Sequence, residues 1–276
     1  MEKSKLNFSI INIDKPAGPT SFKVSEYVKK SLNLKKTSHF GTLDPKVTGV
    51  LPVALERACK LTGYFLGHDK TYIGIMHTHK KQDIKQLQEI INKNFTGKIQ
   101  QLPPIKSRVK RAIREREIKH FKLLEQSEGK KDFLFETKVQ GGTYIRKLIH
   151  DLGEKIGGAH MLELRRTKAS IFDQSKIYTL YEFKQAVEEY KQGKPEKLEK
   201  MLIPAEDAIK QILPTIQVKK SAVKQLLTGK PIFKKDIIGK IPTKEIFAVF
   251  QGNQFIEIAR KTKENLIFAR PEFVFN

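Results

Sequence analysis

His39-Phe40-Gly41-Thr42-Leu43-Asp44-Pro45-Lys46-Val47-Thr48-Gly49 is the stretch on which the reading of this chain turns. It fixes one carboxylate in a turn bounded by glycines and a proline. Gly41 and Gly49 permit backbone angles or close approaches that other residues resist, while Pro45 pins its own φ and pushes Asp44 toward extended geometry. Asp44 is therefore presented by a loop and not held inside a helix or strand. Asp-Pro is also ordinary turn chemistry, so the weight of the motif rests on its company.

Upstream, the apolar stretch from Leu6 to Ile13 reads as a buried strand, and Asp14-Lys15-Pro16-Ala17-Gly18-Pro19 as a loop. Thr20 or Ser21 then caps a helix with Val24, Tyr27 and Val28 inward and Lys23, Lys29 and Lys30 outward. Downstream, part of Leu51 to Leu66 is expected to be helix, and Thr71 to Met76 reads as strand. Ile84, Leu87, Ile91 and Phe95 fall at helical spacing, predicting a surface helix over 83–95. Phe133, Phe135, Thr137 and Val139 alternate with Leu134, Glu136, Lys138 and Gln140, the period of a strand running into Gly141-Gly142. Ile145, Leu148, Ile149, Leu152 and Ile156 form one helical face that stops at Gly157-Gly158.

Helices and strands in no repeating βαβ order predict an α+β fold, a mixed sheet flanked by helices. A Lys/Glu-rich helical stretch, Tyr181 to Met201, separates it from a small β-rich tail. There Glu245 to Phe250 and Phe255 to Arg260 are joined through Gly252-Asn253, and Leu266 to Arg270 supplies a further strand. The expected domains are 1–210 and 211–276.

The chain has 276 residues, enough for one large and one small domain, with 53 Lys+Arg against 30 Asp+Glu and a formal charge of +23. That excess implies a polyanionic partner, nucleic acid first. The basic residues are spread along the chain and not gathered on one amphipathic helix, which argues against a membrane surface. Cys59 is the single cysteine, which excludes an intramolecular disulfide and a Cys-based zinc site. His77-Thr78-His79 suggests a metal, but two ligands without a nearby third make a poor site. No apolar run approaches the roughly 20 residues of a membrane span, and a soluble, cytoplasmic protein is expected.

Five segments stand in order: Asp14 to Ser21, the Gly-Thr-Leu-Asp-Pro run, Lys70-Thr71-Tyr72, Gly142-Thr143-Tyr144-Ile145-Arg146, and Gly158-Ala159-His160-Met161-Leu162-Glu163-Leu164-Arg165-Arg166-Thr167. In this order and spacing they resemble the TruB family of RNA pseudouridine synthases, above all its archaeal and eukaryal dyskerin-like branch. The resemblance covers nearly the whole chain. It implies an enzyme that breaks the bond from ribose to N1 of a uridine, rotates the base and rejoins it through C5, with neither metal nor cofactor.

Asp44 matches the family's essential aspartate. A carboxylate of this kind is charged at neutral pH and needs no activating base; it can attack the sugar carbon or take a proton from C2′, and sequence does not separate the two. Arg146 matches the arginine beside it, and Tyr72 the tyrosine whose ring stacks on the reacting base and holds it while it turns. Tyr144 and Leu164 match pocket-lining positions, with His39 a contact to RNA. Lys15 and Pro16 match a motif that supports the catalytic loop. Ser38 and Phe40 depart from the family's Gly-His-Ser-Gly or Gly-His-Thr-Gly run, and the bulk of Phe40 predicts an altered RNA entry there. The dense basic run contributes Lys106, Arg108, Lys110, Arg111 and Arg114 to an RNA-backbone track, together with Arg165 and Arg166.

Stand-alone bacterial members carry an insertion before the segment that begins here at Ile118, and this chain has only a few residues there. The resemblance therefore implies the RNA-guided role: an H/ACA guide RNA, a substrate RNA that is mainly ribosomal, a nucleolar-type small subunit, a glycine-arginine-type β-barrel subunit and a kink-turn-binding ribosomal-like protein. Leu213-Pro214, Ser221-Ala222-Val223 and Thr228-Gly229-Lys230-Pro231 resemble a PUA domain, which grips the guide's ACA end in that branch. The competing readings are the same chemistry on the tRNA T-arm without a guide, and a non-catalytic RNA-binding or ribosome-assembly protein.

Overall fold

The computed structural model describes residues 3–104 and 110–276. The α+β architecture expected from the sequence is the one observed, built on a mixed sheet of eleven strands among the described residues. Eight lie along one path: Tyr178–Thr179, Ser9–Lys15, Thr48–Leu55, Ala159–Ala169, Lys70–Thr78, Asp132–Val139, Arg114–Gln126 and Gly97–Gln101. Three short strands, Thr37–His39, Phe172–Asp173 and Leu202–Pro204, join off that path.

The strand Thr48–Leu55 is where pattern reading fell short. It lies between Ser9–Lys15 and Ala159–Ala169, and Gly49 to Leu55 are all buried. A strand covered on both faces carries a continuous apolar run without alternation, which period alone cannot tell from a buried helix. Helical structure is confined to the 3-10 turn Glu56–Leu61 and the helix Thr62–Leu66. At the N-terminus a short helix, Lys3–Asn7, replaces the first part of the expected strand. Tyr27, expected inward, is 37% exposed and meets Phe183 edge-on.

Other elements follow their local chemistry. Thr20 caps Ser21–Ser31 by accepting a hydrogen bond from the Lys23 amide, and Asp83 caps Ile84–Asn94 through the Lys85 and Gln86 amides. Ile145–Ile156 buries the predicted apolar face and ends at Gly157 with φ 86°, a left-handed cap suited to glycine. The Tyr181 to Met201 stretch is two helices, Leu180–Lys191 and Glu196–Met201, broken at Gly193-Lys194-Pro195.

A second sheet takes the order Ile237–Ile238, Thr215–Val218, Ile246–Gln251, Gln254–Lys261, Ala269–Val274. Gly252 and Asn253 form the expected two-residue turn, with Gln251 paired to Gln254. The last strand starts later than Leu266, which is 82% exposed and has no packing to hold it in register. Phe8 stacks on Phe255 at 5.3 Å between ring centres and lies 4.3 Å from Phe275, so one apolar cluster holds residues of both sheets.

Glu257, inside the second sheet, is fully buried, and neither carboxylate oxygen meets a hydrogen-bond partner among the described residues. Burial pushes its pKa up to about 8, so the folded protein holds this proton at neutral pH. Because the folded value lies above the unfolded one, the native state binds more protons between about pH 4.5 and 8, and stability falls as pH rises through that window. Glu257→Gln is expected to remove this component. Melting temperatures measured from pH 5 to 8 should diverge in favour of the variant as pH rises, by an amount corresponding to roughly a few kcal/mol.

Candidate active site

Leu43 to Val47 form a loop that three neighbours tie down. The Ser21 hydroxyl accepts from the Leu43 amide at 2.8 Å and donates to the Leu43 carbonyl at 3.1 Å. Lys15, fully buried, donates from Nζ to the carbonyls of Pro16, Pro45 and Val47 at 2.8, 3.0 and 2.8 Å. The Gly18 amide donates to the Pro45 carbonyl, and Val47 closes a turn onto the Asp44 carbonyl. An ammonium withdrawn from water and spent on two carbonyls of this loop and on the Pro16 carbonyl ties the Asp44 loop to the Lys15-Pro16 turn. Burial lowers the pKa of Lys15, and the nearby Asp44 carboxylate opposes that shift.

The loop presents Asp44 with its side chain 46% exposed, and Arg146 Nε lies 2.8 Å from Asp44 Oδ2. An ion pair this open is worth about 0–1 kcal/mol in stability; its effect is to set where the carboxylate stands. Arg146 comes from the first turn of Ile145–Ile156. Tyr144 precedes that helix, gripped through its backbone by Gln101, which accepts from the Tyr144 amide at 2.8 Å and donates to its carbonyl at 3.1 Å. Tyr72 is 8% exposed on Lys70–Thr78, and Leu164 is 8% exposed on the neighbouring strand. Leu43, Val47, Tyr72, Ile145 and Leu164 share one buried cluster, so the apolar wall is continuous with the loop that carries the acid.

Arg166 corrects an expectation. It is 1% exposed and cannot lie along an RNA backbone; its Nε donates to the Val50 carbonyl at 2.8 Å and its Nη2 to the Gly41 carbonyl at 3.0 Å. It stands directly across the strand pair from Tyr72, so one guanidinium tied to the Gly41 carbonyl neighbours the aromatic residue as well. Arg165 sits on the opposite side of its strand, in a two-pronged pair with Asp14 at 2.9 and 2.8 Å. Neither arginine is displayed as a free basic track, because strand alternation and pairing claim both.

His39 lies at the mouth of the loop, with Nε2 3.2 Å from the Thr42 hydroxyl. Burial, and then the Arg166 guanidinium, hold its pKa below the usual value, so the ring is neutral at neutral pH. Lys70, nearly buried, donates to the Leu66 and His68 carbonyls; burial and Arg166 bring its pKa down to about 8. Phe40 does not stand in the entry. It is 2% exposed and stacked on Phe65 at 4.5 Å, so its bulk serves the core below the loop.

Lys110 and Arg111 are exposed and Arg114 is partly so, ahead of Arg114–Gln126, whereas Lys106 and Arg108 lie outside the described residues. Sequence reasoning missed Ser21 as a loop anchor, Gln101 as the clamp on Tyr144, and Arg116, whose Nε donates to the Gly142 carbonyl at 3.2 Å. The one signal for Ser21 was a second hydroxyl next to the helix cap. Nothing local marks the other two, whose partners lie 43 and 26 residues away.

Residues 29–145 match the model of the TruB family pseudouridylate synthase N-terminal domain, and 146–210 that of the tRNA pseudouridylate synthase B C-terminal domain. A Methanopyrus kandleri protein named probable tRNA pseudouridine synthase B is 45% identical over 222 residues, 80% of this chain and 64% of its own length. The chain thus spans just under two thirds of that relative. Among solved structures, a Cbf5-Nop10-Gar1 complex superposes with a TM-score of 0.89 at 35% identity, covering 99% of this chain and 87% of the matched one. An H/ACA RNP bound to a substrate RNA containing 2′-deoxyuridine gives 0.87 at 33%, with 99% and 87% covered. With the family models spanning residues 29–210 and this likeness running through both sheets, the chain belongs to the TruB family of pseudouridylate synthases.

Proposed function

We propose that this chain is an RNA pseudouridine synthase working as the catalytic subunit of an H/ACA-type guide RNA–protein complex. The observation that carries the reading is a half-exposed carboxylate, Asp44, set by Arg146 at 2.8 Å on a loop whose Leu43 and Val47 share one buried cluster with Tyr72 and Leu164. In the reaction the C1′–N1 bond breaks, a C1′–C5 bond forms, and the proton leaving C5 is balanced by one gained at N1, so no redox partner is needed. Asp44 acts on the ribose, Arg146 positions it, and Tyr72 offers the detached base a face. Residues 211–276 serve as a PUA module gripping the guide. The formal charge of +23 supports an RNA partner held with steep salt dependence.

The guided role draws on the two solved likenesses, one in complex with Nop10 and Gar1 and one bound to substrate RNA. The second reading, direct action on tRNA, draws on the name of the Methanopyrus relative. Tritium release from RNA labelled at uridine C5 separates them. Release from a guide-matched RNA is expected only with guide and small partner proteins added. Full release from free tRNA by the purified chain alone would reject the guided role while leaving the chemistry intact.

A further inference from the structure

Folding brings His160 to His77 and His79, a third ligand that no neighbour in sequence supplies. Lys70–Thr78 runs antiparallel to Ala159–Ala169 with His77 directly opposite His160, and His79 follows just past the strand end. Ring centres are 5.2 Å apart for His77 and His160, 5.4 Å for His79 and His160, and 6.3 Å for His77 and His79. His79 Nε2 lies 3.2 Å from His160 Nδ1. A tetrahedral zinc-type ion with metal–nitrogen distances of about 2.0–2.1 Å places two imidazole nitrogens about 3.3 Å apart and their ring centres about 5 Å apart. Two ring spacings and the nitrogen pair already fit.

Two further features support a ligand there. Asp132 Oδ1 accepts at 2.6 Å from His77 Nδ1, which leaves the lone pair on Nε2; a carboxylate behind the ring is how ligating histidines are oriented. Gly158, at φ +112°, is the residue over which His79 folds: a Cβ there would come within 2.2 Å of His79 Nδ1, and the His79 amide donates to the Gly158 carbonyl at 2.9 Å. His79 is thus held in place by backbone pairing as well as by its ring contacts. The nitrogens of all three rings do not yet converge as closely as the ring nitrogen and carboxylate oxygens of His150, Asp151 and Glu154, which lie within 4.8 Å of one another. That second group, however, is mostly exposed on one helix, and Lys147 already pairs with Asp151.

We propose that His77, His79 and His160 form a binding site for a divalent transition-metal ion of the zinc type, His77 turning its ring to join the other two. An all-imidazole set favours such an ion over calcium or magnesium, which take oxygen ligands. His77 stands five residues along its strand from Tyr72, roughly 17 Å at the usual rise. The ion would therefore pin the ends of two strands and the turn between them, remote from the reacting uridine.

The test titrates Zn²⁺ into the chelator-stripped full-length protein against a chromophoric competitor, and repeats the titration with Co²⁺, reading the visible absorption that reports four-coordination. One equivalent of Zn²⁺ with micromolar or tighter affinity is expected, with a tetrahedral Co²⁺ spectrum. His79→Ala and His160→Ala should each weaken binding at least tenfold, Asp132→Asn by about tenfold, and His150→Ala should leave it unchanged. All four side chains lie at the surface, and equal melting temperatures of the metal-free variants check their folding. Several weak equivalents, or an unchanged affinity in His160→Ala, would overturn the site.

Discussion

Asp44→Asn is expected to reduce pseudouridine formation in the reconstituted particle by at least about 10³-fold, at the upper end of what loss of a positioned acid–base group or nucleophile produces. The substitution keeps shape and removes charge. It leaves the loop alone, because Lys15, Ser21 and Arg166 hold that loop through backbone carbonyls and amides and not through the Asp44 side chain. Only the exposed pair with Arg146 is lost, so the melting temperature should move by no more than a few degrees. RNA binding should stay within a few-fold of the native value. An active Asp44→Asn protein would sink the enzymatic assignment, whereas inactivity with lost RNA binding would point to a damaged surface instead.

Gly49→Ala carries the second large effect, this time through the scaffold. Gly49 pairs with Arg166 across parallel strands at φ +102°, and an added Cβ would stand 2.2 Å from the Arg166 carbonyl oxygen. A backbone atom inside a sheet cannot step aside, so relief means parting the strands that place Arg166 under the Asp44 loop. A cost of about 3 kcal/mol or more is expected, from unfavourable φ together with forced displacement, which corresponds to a fall in melting temperature on the order of 10 °C. Gly18→Ala is the matched control: φ is +108°, yet nothing lies within 4 Å of the added atom, so only the conformational penalty of about 1–2 kcal/mol applies. Equal losses for the two variants, read by thermal denaturation, would refute the close-approach argument.

What could be read in advance was local. The Asp44 turn announces itself through Gly41, Pro45 and Gly49, and the helix Ile145–Ile156 through its apolar stripe and glycine stop. The resemblance to the TruB family then grouped Asp44 with Tyr72 and Arg146, and Arg146 does stand beside Asp44. What stayed hidden were relations between distant strands. Arg165-Arg166 looks like surface charge until alternation sends one arginine to Asp14 and the other beneath Gly41. Lys15 looks like a turn lysine until three carbonyls surround it. Thr48–Leu55 hides its strand character because neighbours cover both faces, and the third histidine beside His77 and His79 emerges only from the pairing of two strands.

The packing of Phe8 against Phe255 and Phe275 has a consequence for how the molecule comes apart. The residue that leads into the first long strand is sheltered by rings from the last fifty of the chain, so neither portion finishes its interior alone. Heating should therefore yield one calorimetric peak and not two, and a nascent chain leaving the ribosome would keep Phe8 uncovered until Phe255 and Phe275 have followed it out.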